Sequence, residues 1–195
     1  MLHRLPQMKG FIFDLDGTLM HSHLDFHYLR TATGCPDGED ILSYVDGLDY
    51  PAQLAAKQII IDHEVADAKQ AKWIDGALAL VQHLSSVGMP IAIVTRNCQE
   101  AVAHKLTGKI AAFNPVLTRE DAAAKPDPEA LLKIAHGWHI AVDSLAYVGD
   151  YIYDVQAANR AGMLSCLYAP SQVPDYAEQA DVVFQDFSQF KDYLN

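Results

Sequence analysis

Two aspartates, Asp14 and Asp16, stand one residue apart in the stretch GFIFDLDGTLM (residues 10–20), where an apolar run ends and just before Gly17. Carboxylates of this kind can attack an electrophile, exchange a proton with a leaving group or water, or hold a cation. On a straight strand their alternate positions share one face. Other reactive side chains follow later apolar runs: Thr95, Arg96 and Asn97 after PIAIV, Lys125 in AAAKPDPE, and Asp150 and Asp154 in VGDYIYD. Crowded carboxylates repel, and one of them would have to stay protonated. A hard divalent cation removes that conflict, and Mg²⁺ takes oxygen ligands and is commonly shared with a substrate phosphate. A lysine and a threonine hydroxyl can then face the remaining phosphate oxygens, which makes an electrostatic cradle for phosphoryl transfer. One carboxylate would attack phosphorus to give an aspartyl phosphate. The other would protonate the leaving oxygen and later deprotonate water. Gly17 would let the backbone bend close to the phosphate.

These side chains meet only if the apolar runs are strands whose carboxyl ends lie along one edge, where open α/β sheets bind ligands. The runs are KGFIF (9–13), PIAIVT (90–95), NPVLT (114–118), SLAYVG (144–149), LSCLY (164–168) and DVVFQ (181–185). None alternates cleanly, which suits strands covered on both faces. Helical patterns lie between them, at 75–88, 98–108, 127–137 and 151–162, each ending on glycine. For the third, Asp127 is the expected N-cap, Pro128 the first helical residue and Gly137 the stop. A closing helix is expected at 186–195. Strands alternating with helices predict an α/β fold with a mostly parallel sheet. Residues 21–74 break the rhythm: they hold helical segments at 24–33, 37–45 and 52–73 and no strand. The expected division is a catalytic core of residues 1–20 and 75–195 with a small helical cap, 21–74, inserted after the first strand.

Half of the 195 residues are hydrophobic and the formal net charge is −11. Nucleic-acid binding needs clustered Lys and Arg and is not expected; an anionic membrane surface is excluded on the same ground. Three widely spaced cysteines, Cys35, Cys98 and Cys166, fit free thiols in a reducing compartment. With no apolar leader at the start, a cytoplasmic location is expected.

The motifs resemble those of the haloacid dehalogenase superfamily of hydrolases. DLDGTL resembles its first motif, IVTRN its second, the lysine of AKPDPE its third and GDYIYD its fourth; together they bracket almost the whole chain in the right order. DVQAANRAGM, after the fourth, is similar to the phosphoglycolate phosphatase-like branch. The resemblance implies a Rossmann-like, three-layer parallel-sheet core with the Asp14 strand central and a helical cap. It implies Asp14 as nucleophile, Asp16 as general acid/base, and Thr95 and Lys125 as phosphate ligands. Mg²⁺ would be held by Asp14, the backbone carbonyl of Asp16 and Asp150, with Asp154 on the ion or just outside it. Thr18 implies a phosphatase rather than a sugar-phosphate mutase.

Each residue also has a plainer reading. Paired aspartates cap turns, lysines are usually solvated, and Asp154 could serve only the start of its helix. Arg96 and Asn97 either touch phosphate or, for Arg96, salt-bridge at the rim. His23 and His27 share a helical face, but lone histidines there are more often solvated than metal-bound. Cys98 has no partnering base and reads as buried packing. The expected function is a Mg²⁺-dependent phosphatase acting on a small phosphorylated metabolite, as a monomer or homodimer. The alternatives are a sugar-phosphate mutase and a catalytically idle regulatory module.

Overall fold

Each of the six apolar runs forms a strand of one parallel sheet in the computed structural model, which describes residues 2–194. The strands are β1 (Gly10–Phe13), β2 (Ile91–Val94), β3 (Val116–Leu117), β4 (Leu145–Gly149), β5 (Leu164–Tyr168) and β6 (Val182–Phe184), in the order β3-β2-β1-β4-β5-β6. Phe13 is level with Ile93 on one side and with Val148 on the other. The chain therefore leaves β1, β2 and β4 along one edge, at Asp14, Thr95 and Asp150. β2 and β3 continue the sheet on one side of β1, and the chain then crosses to β4 on its other side, so this edge is the topological switch point.

Consecutive strand residues enter different cores, which explains the missing alternation. Phe11, Phe13, Ile91, Ile93, Ala146 and Val148 pack against α4 (Ala77–Ser86) and α8 (Phe187–Asp192). Ile12, Ala92, Val94, Leu145 and Tyr147 pack against α6 (Glu129–Trp138) and α7 (Ile152–Ala161). The result is a three-layer α/β fold.

Three helices lie between β1 and α4: α1 (Phe26–Thr33), α2 (Ile41–Asp46) and α3 (Tyr50–Ala68). Asp25 and Asp40 cap the first two through their carboxylates, and Pro51 sits in the first turn of the third. Leu29, Val45, Ala56 and Ile60 form a small core of their own. The far end of α3 packs Val65 and Ala68 on Cys98 and Ala101 at the start of α5 (Gln99–Lys105).

Most helices are a few residues shorter than their sequence patterns, α2 beginning at Ile41 rather than residue 37 and α5 ending at Lys105 rather than residue 108, and at α3 and α6 distant partners set the ends. Helix α3 ends at Ala68 rather than at residue 73, because the following chain pairs with the chain that left β1. His21 N–H donates to Lys72 O and Ile74 N–H to Leu19 O, at 2.8 and 2.9 Å. Helix α6 runs through Gly137 to Trp138, and His139 (φ 56°) takes the left-handed position instead. Trp138 is held by its indole N–H donating to Asn114 O at 2.9 Å. At the other end Pro128 is the cap residue, and Asp127 accepts from Glu129 N–H at 2.9 Å. No helix among the described residues is long and apolar enough to cross a membrane.

Candidate active site

The end of β1 delivers Asp14 into the sheet edge, where its N–H donates to Val148 O at 2.8 Å and its carboxylate is nearly buried. Lys125, from the loop before α6, places Nζ 2.7 Å from Asp14 Oδ1 and 2.6 Å from Asp154 Oδ1. Asp154 lies in the first turn of α7. Its Oδ1 also accepts the Tyr147 hydroxyl at 2.9 Å, and its Oδ2 accepts Tyr151 N–H at 3.0 Å. It therefore anchors the lysine and caps its own helix together. Asp150, just past β4, accepts the buried Thr18 hydroxyl at 2.9 Å.

Oxygens of Asp14, Asp150 and Asp154 lie within 4.8 Å of one another. Burial raises the Asp14 carboxyl well above the usual range; Lys125 opposes this, and Asp154 and Asp150 add to it. Burial and then Asp154 raise Asp150 to about 6, against the Thr18 hydrogen bond. Burial alone would lower Lys125, but Asp14 and Asp154 hold it above its ordinary value, so it stays charged. One ammonium balances one of three carboxylates. An all-oxygen donor set with residual negative charge fits a hard divalent cation.

Asp16 faces a different set of partners. One of its oxygens meets the ammonium of Lys105 from α5, and the other meets the side-chain amide of Asn97. Burial raises its carboxyl, Lys105 lowers it, and Asp67 and Glu64 raise it further. Gly17, with φ +76°, turns the chain directly beneath Asp150. Thr95 is buried at the end of β2; its N–H donates to Leu117 O at 3.0 Å and its Oγ1 accepts from Asn97 N–H at 3.2 Å. Arg96 turns away from the carboxylates. Its guanidinium pairs with Asp40 at 2.6 Å and stands 5.1 Å from the centre of the Tyr153 ring, the rim reading of this residue.

Five participants were not singled out from the sequence: Lys105, Asp67, Glu64, Arg119 and Tyr147. Lys105 and Asp67 are ion-paired at 2.9 Å, and Arg119 pairs with Glu64 of α3 at 2.5 Å. The available signal for Lys105 was its place on the apolar stripe of α5, beside the buried Ala101, Val102 and Leu106. A charge on such a stripe needs a partner. His23 donates its N–H to Asp67 at 2.8 Å, and Cys98 is buried with Sγ accepting from Ala101 N–H at 3.5 Å.

Residues 24–168 match the haloacid dehalogenase-like hydrolase family. A haloacid dehalogenase-like hydrolase domain-containing protein of Arabidopsis thaliana is 29% identical over 208 residues, which cover 96% of this chain and 84% of that one. Hexitol phosphatase A of Escherichia coli (strain K12) is 28% identical over 202 residues, 93% of this chain and 92% of that one. Among solved structures, a predicted phosphoglycolate phosphatase from Haemophilus somnus superposes with a TM-score of 0.78 at 22% identity, covering 97% of this chain and 99% of that one.

Proposed function

The chain belongs to the haloacid dehalogenase-like hydrolase family, and on that footing we propose that it is a magnesium-dependent phosphatase of small phosphomonoesters. The observation that carries this reading is the convergence of Asp14, Lys125, Asp150 and Asp154 at the ends of β1 and β4. The phosphatases among its relatives support it. Mg²⁺ would be held by Asp14, Asp150 and the Asp16 carbonyl, with Asp154 beside them. When bound, it supplies positive charge against the phosphate oxygens and offsets the carboxylate repulsion.

Asp14 attacks phosphorus, and the bond to the ester oxygen breaks as the aspartyl phosphate forms. Asp16, entering protonated, gives its proton to the departing oxygen. As a carboxylate it then takes a proton from the water that hydrolyses the intermediate. Lys125 and the Thr95 hydroxyl hold the phosphoryl oxygens, with Gly17 letting the backbone approach. Asp154 orients Lys125 from behind. The helices at 21–74 act as a cap that excludes bulk water. The enzyme is cytoplasmic and works as a monomer or homodimer.

The test is phosphate release from a panel of small phosphorylated metabolites, with and without Mg²⁺, by the native chain and by Asp14→Asn. Release that needs both the ion and Asp14 is expected. No release from any ester, or full activity in Asp14→Asn, would overturn the proposal.

A further inference from the structure

Lys105 has a fully buried side chain, and its ammonium touches two carboxylates from distant parts of the chain. One is Asp16 and the other is Asp67, near the end of α3. Asp67 is occupied on both oxygens: Oδ1 accepts His23 N–H at 2.8 Å, and Oδ2 accepts Lys105 at 2.9 Å and the Ser22 hydroxyl at 3.4 Å. Asp67 thus joins the chain leaving β1 to the last turn of α3, and Lys105 links that junction to Asp16.

From this geometry we infer that Lys105 is a positioning residue for Asp16, fixing the carboxyl group that exchanges protons with the ester oxygen and with water, and that Asp67 in turn fixes Lys105. The inference rests on the acid/base role proposed for Asp16. Lys105 takes one oxygen of Asp16 and the Asn97 amide takes the other, so the carboxyl plane cannot rotate. Each oxygen keeps a second lone-pair site for proton exchange. Lys105 and Lys125 share no carboxylate: Lys125 pairs with Asp14 and Asp154, and Lys105 with Asp16 and Asp67. The two lysines therefore divide the two catalytic carboxylates between them. Closure of the helical segment and readiness of Asp16 become one event, because the Asp67 contact exists only while α3 is seated on α5.

The experiment compares kcat/KM for an alkyl phosphate and for p-nitrophenyl phosphate in the native chain, Asp16→Asn, Lys105→Met and Asp67→Asn. This parameter covers steps up to formation of the aspartyl phosphate. An alkoxide leaves poorly without a proton, whereas p-nitrophenolate leaves without one. Loss of a positioned acid therefore falls on the alkyl ester. Lys105→Met is expected to lose about 10²-fold on the alkyl ester and less than about threefold on the aryl ester, the pattern also expected of Asp16→Asn. Asp67→Asn keeps the Lys105–Asp16 contact and should show the same selective loss, smaller, at about threefold to tenfold. It decides the matter if Lys105→Met does not fold. Equal losses on both esters in the Lys105 and Asp67 variants, or no loss in either, would overturn the inference while Asp16→Asn remains selective. If Asp16→Asn itself is unselective, the acid role of Asp16 falls first and the inference with it.

Discussion

The ammonium of Lys125 lies 2.7 Å from Oδ1 of Asp14, with both side chains nearly buried. The same ammonium serves Asp154, so removing it strands two carboxylates beside Asp150. Breaking a buried ion pair at one partner typically costs about 3–5 kcal/mol. Lys125→Met should therefore lose about 3–5 kcal/mol of unfolding free energy in the absence of divalent ions, read as a lower urea midpoint, and should release no phosphate. A denaturation midpoint equal to the native one would show that the cluster does not depend on this cation.

Gly17 combines a left-handed backbone with a close approach. At φ +76°, a Cβ there would collide with the Asp150 carboxylate, which Thr18 holds in place. Gly17→Ala should lose about 1–2 kcal/mol from the backbone conformation and more from the displaced carboxylate. Gly38, at φ +84°, has nothing within 4 Å of the corresponding position. Gly38→Ala should show the conformational loss alone and keep its activity. Thermal unfolding and phosphate release measured on both variants separate the two contributions; equal behaviour would count against a tight Gly17–Asp150 packing.

The sheet could be read from the sequence because each strand is a continuous apolar run and the helices between them end at turn residues. Helix ends were harder, since Trp138 and Lys72 find partners far away in the chain, and those partners set where α6 and α3 stop. The residues around Asp14 were legible for the same local reason: each follows a strand. The environment of Asp16 was not. Lys105 is 89 residues from Asp16 and 38 from Asp67, and only the packing of α3 on α5 brings them together. Arg96 follows β2 like Thr95, yet its partner Asp40 comes from the helical segment, 56 residues away.

All three cysteines are buried and unpaired. Burial, more than the Glu64 carboxylate, pushes the Cys98 thiol up to about 11, and burial raises Cys35 and Cys166 as well. At pH 8 only about a thousandth of Cys98 is thiolate, the reactive form. A disulfide reagent at pH 8 should label the folded protein slowly at every cysteine and label three thiols promptly in guanidinium. Rapid labelling of Cys98 in the folded state would mean that α3 lifts off α5 readily, since Val65 and Ala68 cover it.

The Arg96–Asp40 pair joins the strand-end loop to α2 at the rim of the site, and each side chain is about a quarter exposed. Such a pair should contribute about 1 kcal/mol or less. Burial alone would raise the Asp40 carboxyl, but hydrogen bonds from Arg96 and Ser43 hold it below the ordinary value. A carboxyl depressed in the folded state stabilises at pH values above its unfolded pKa of about 3.9, and this is lost as pH falls through the folded value. The coupling between Arg96→Met and Asp40→Asn, measured by a double-mutant cycle in urea, should thus be present at pH 7 and vanish well below about pH 4. Asparagine still caps α2, so the cycle isolates the ion pair from the cap. A coupling that persists in acid would trace to packing, such as Arg96 over the Tyr153 ring, because that contact does not titrate with Asp40.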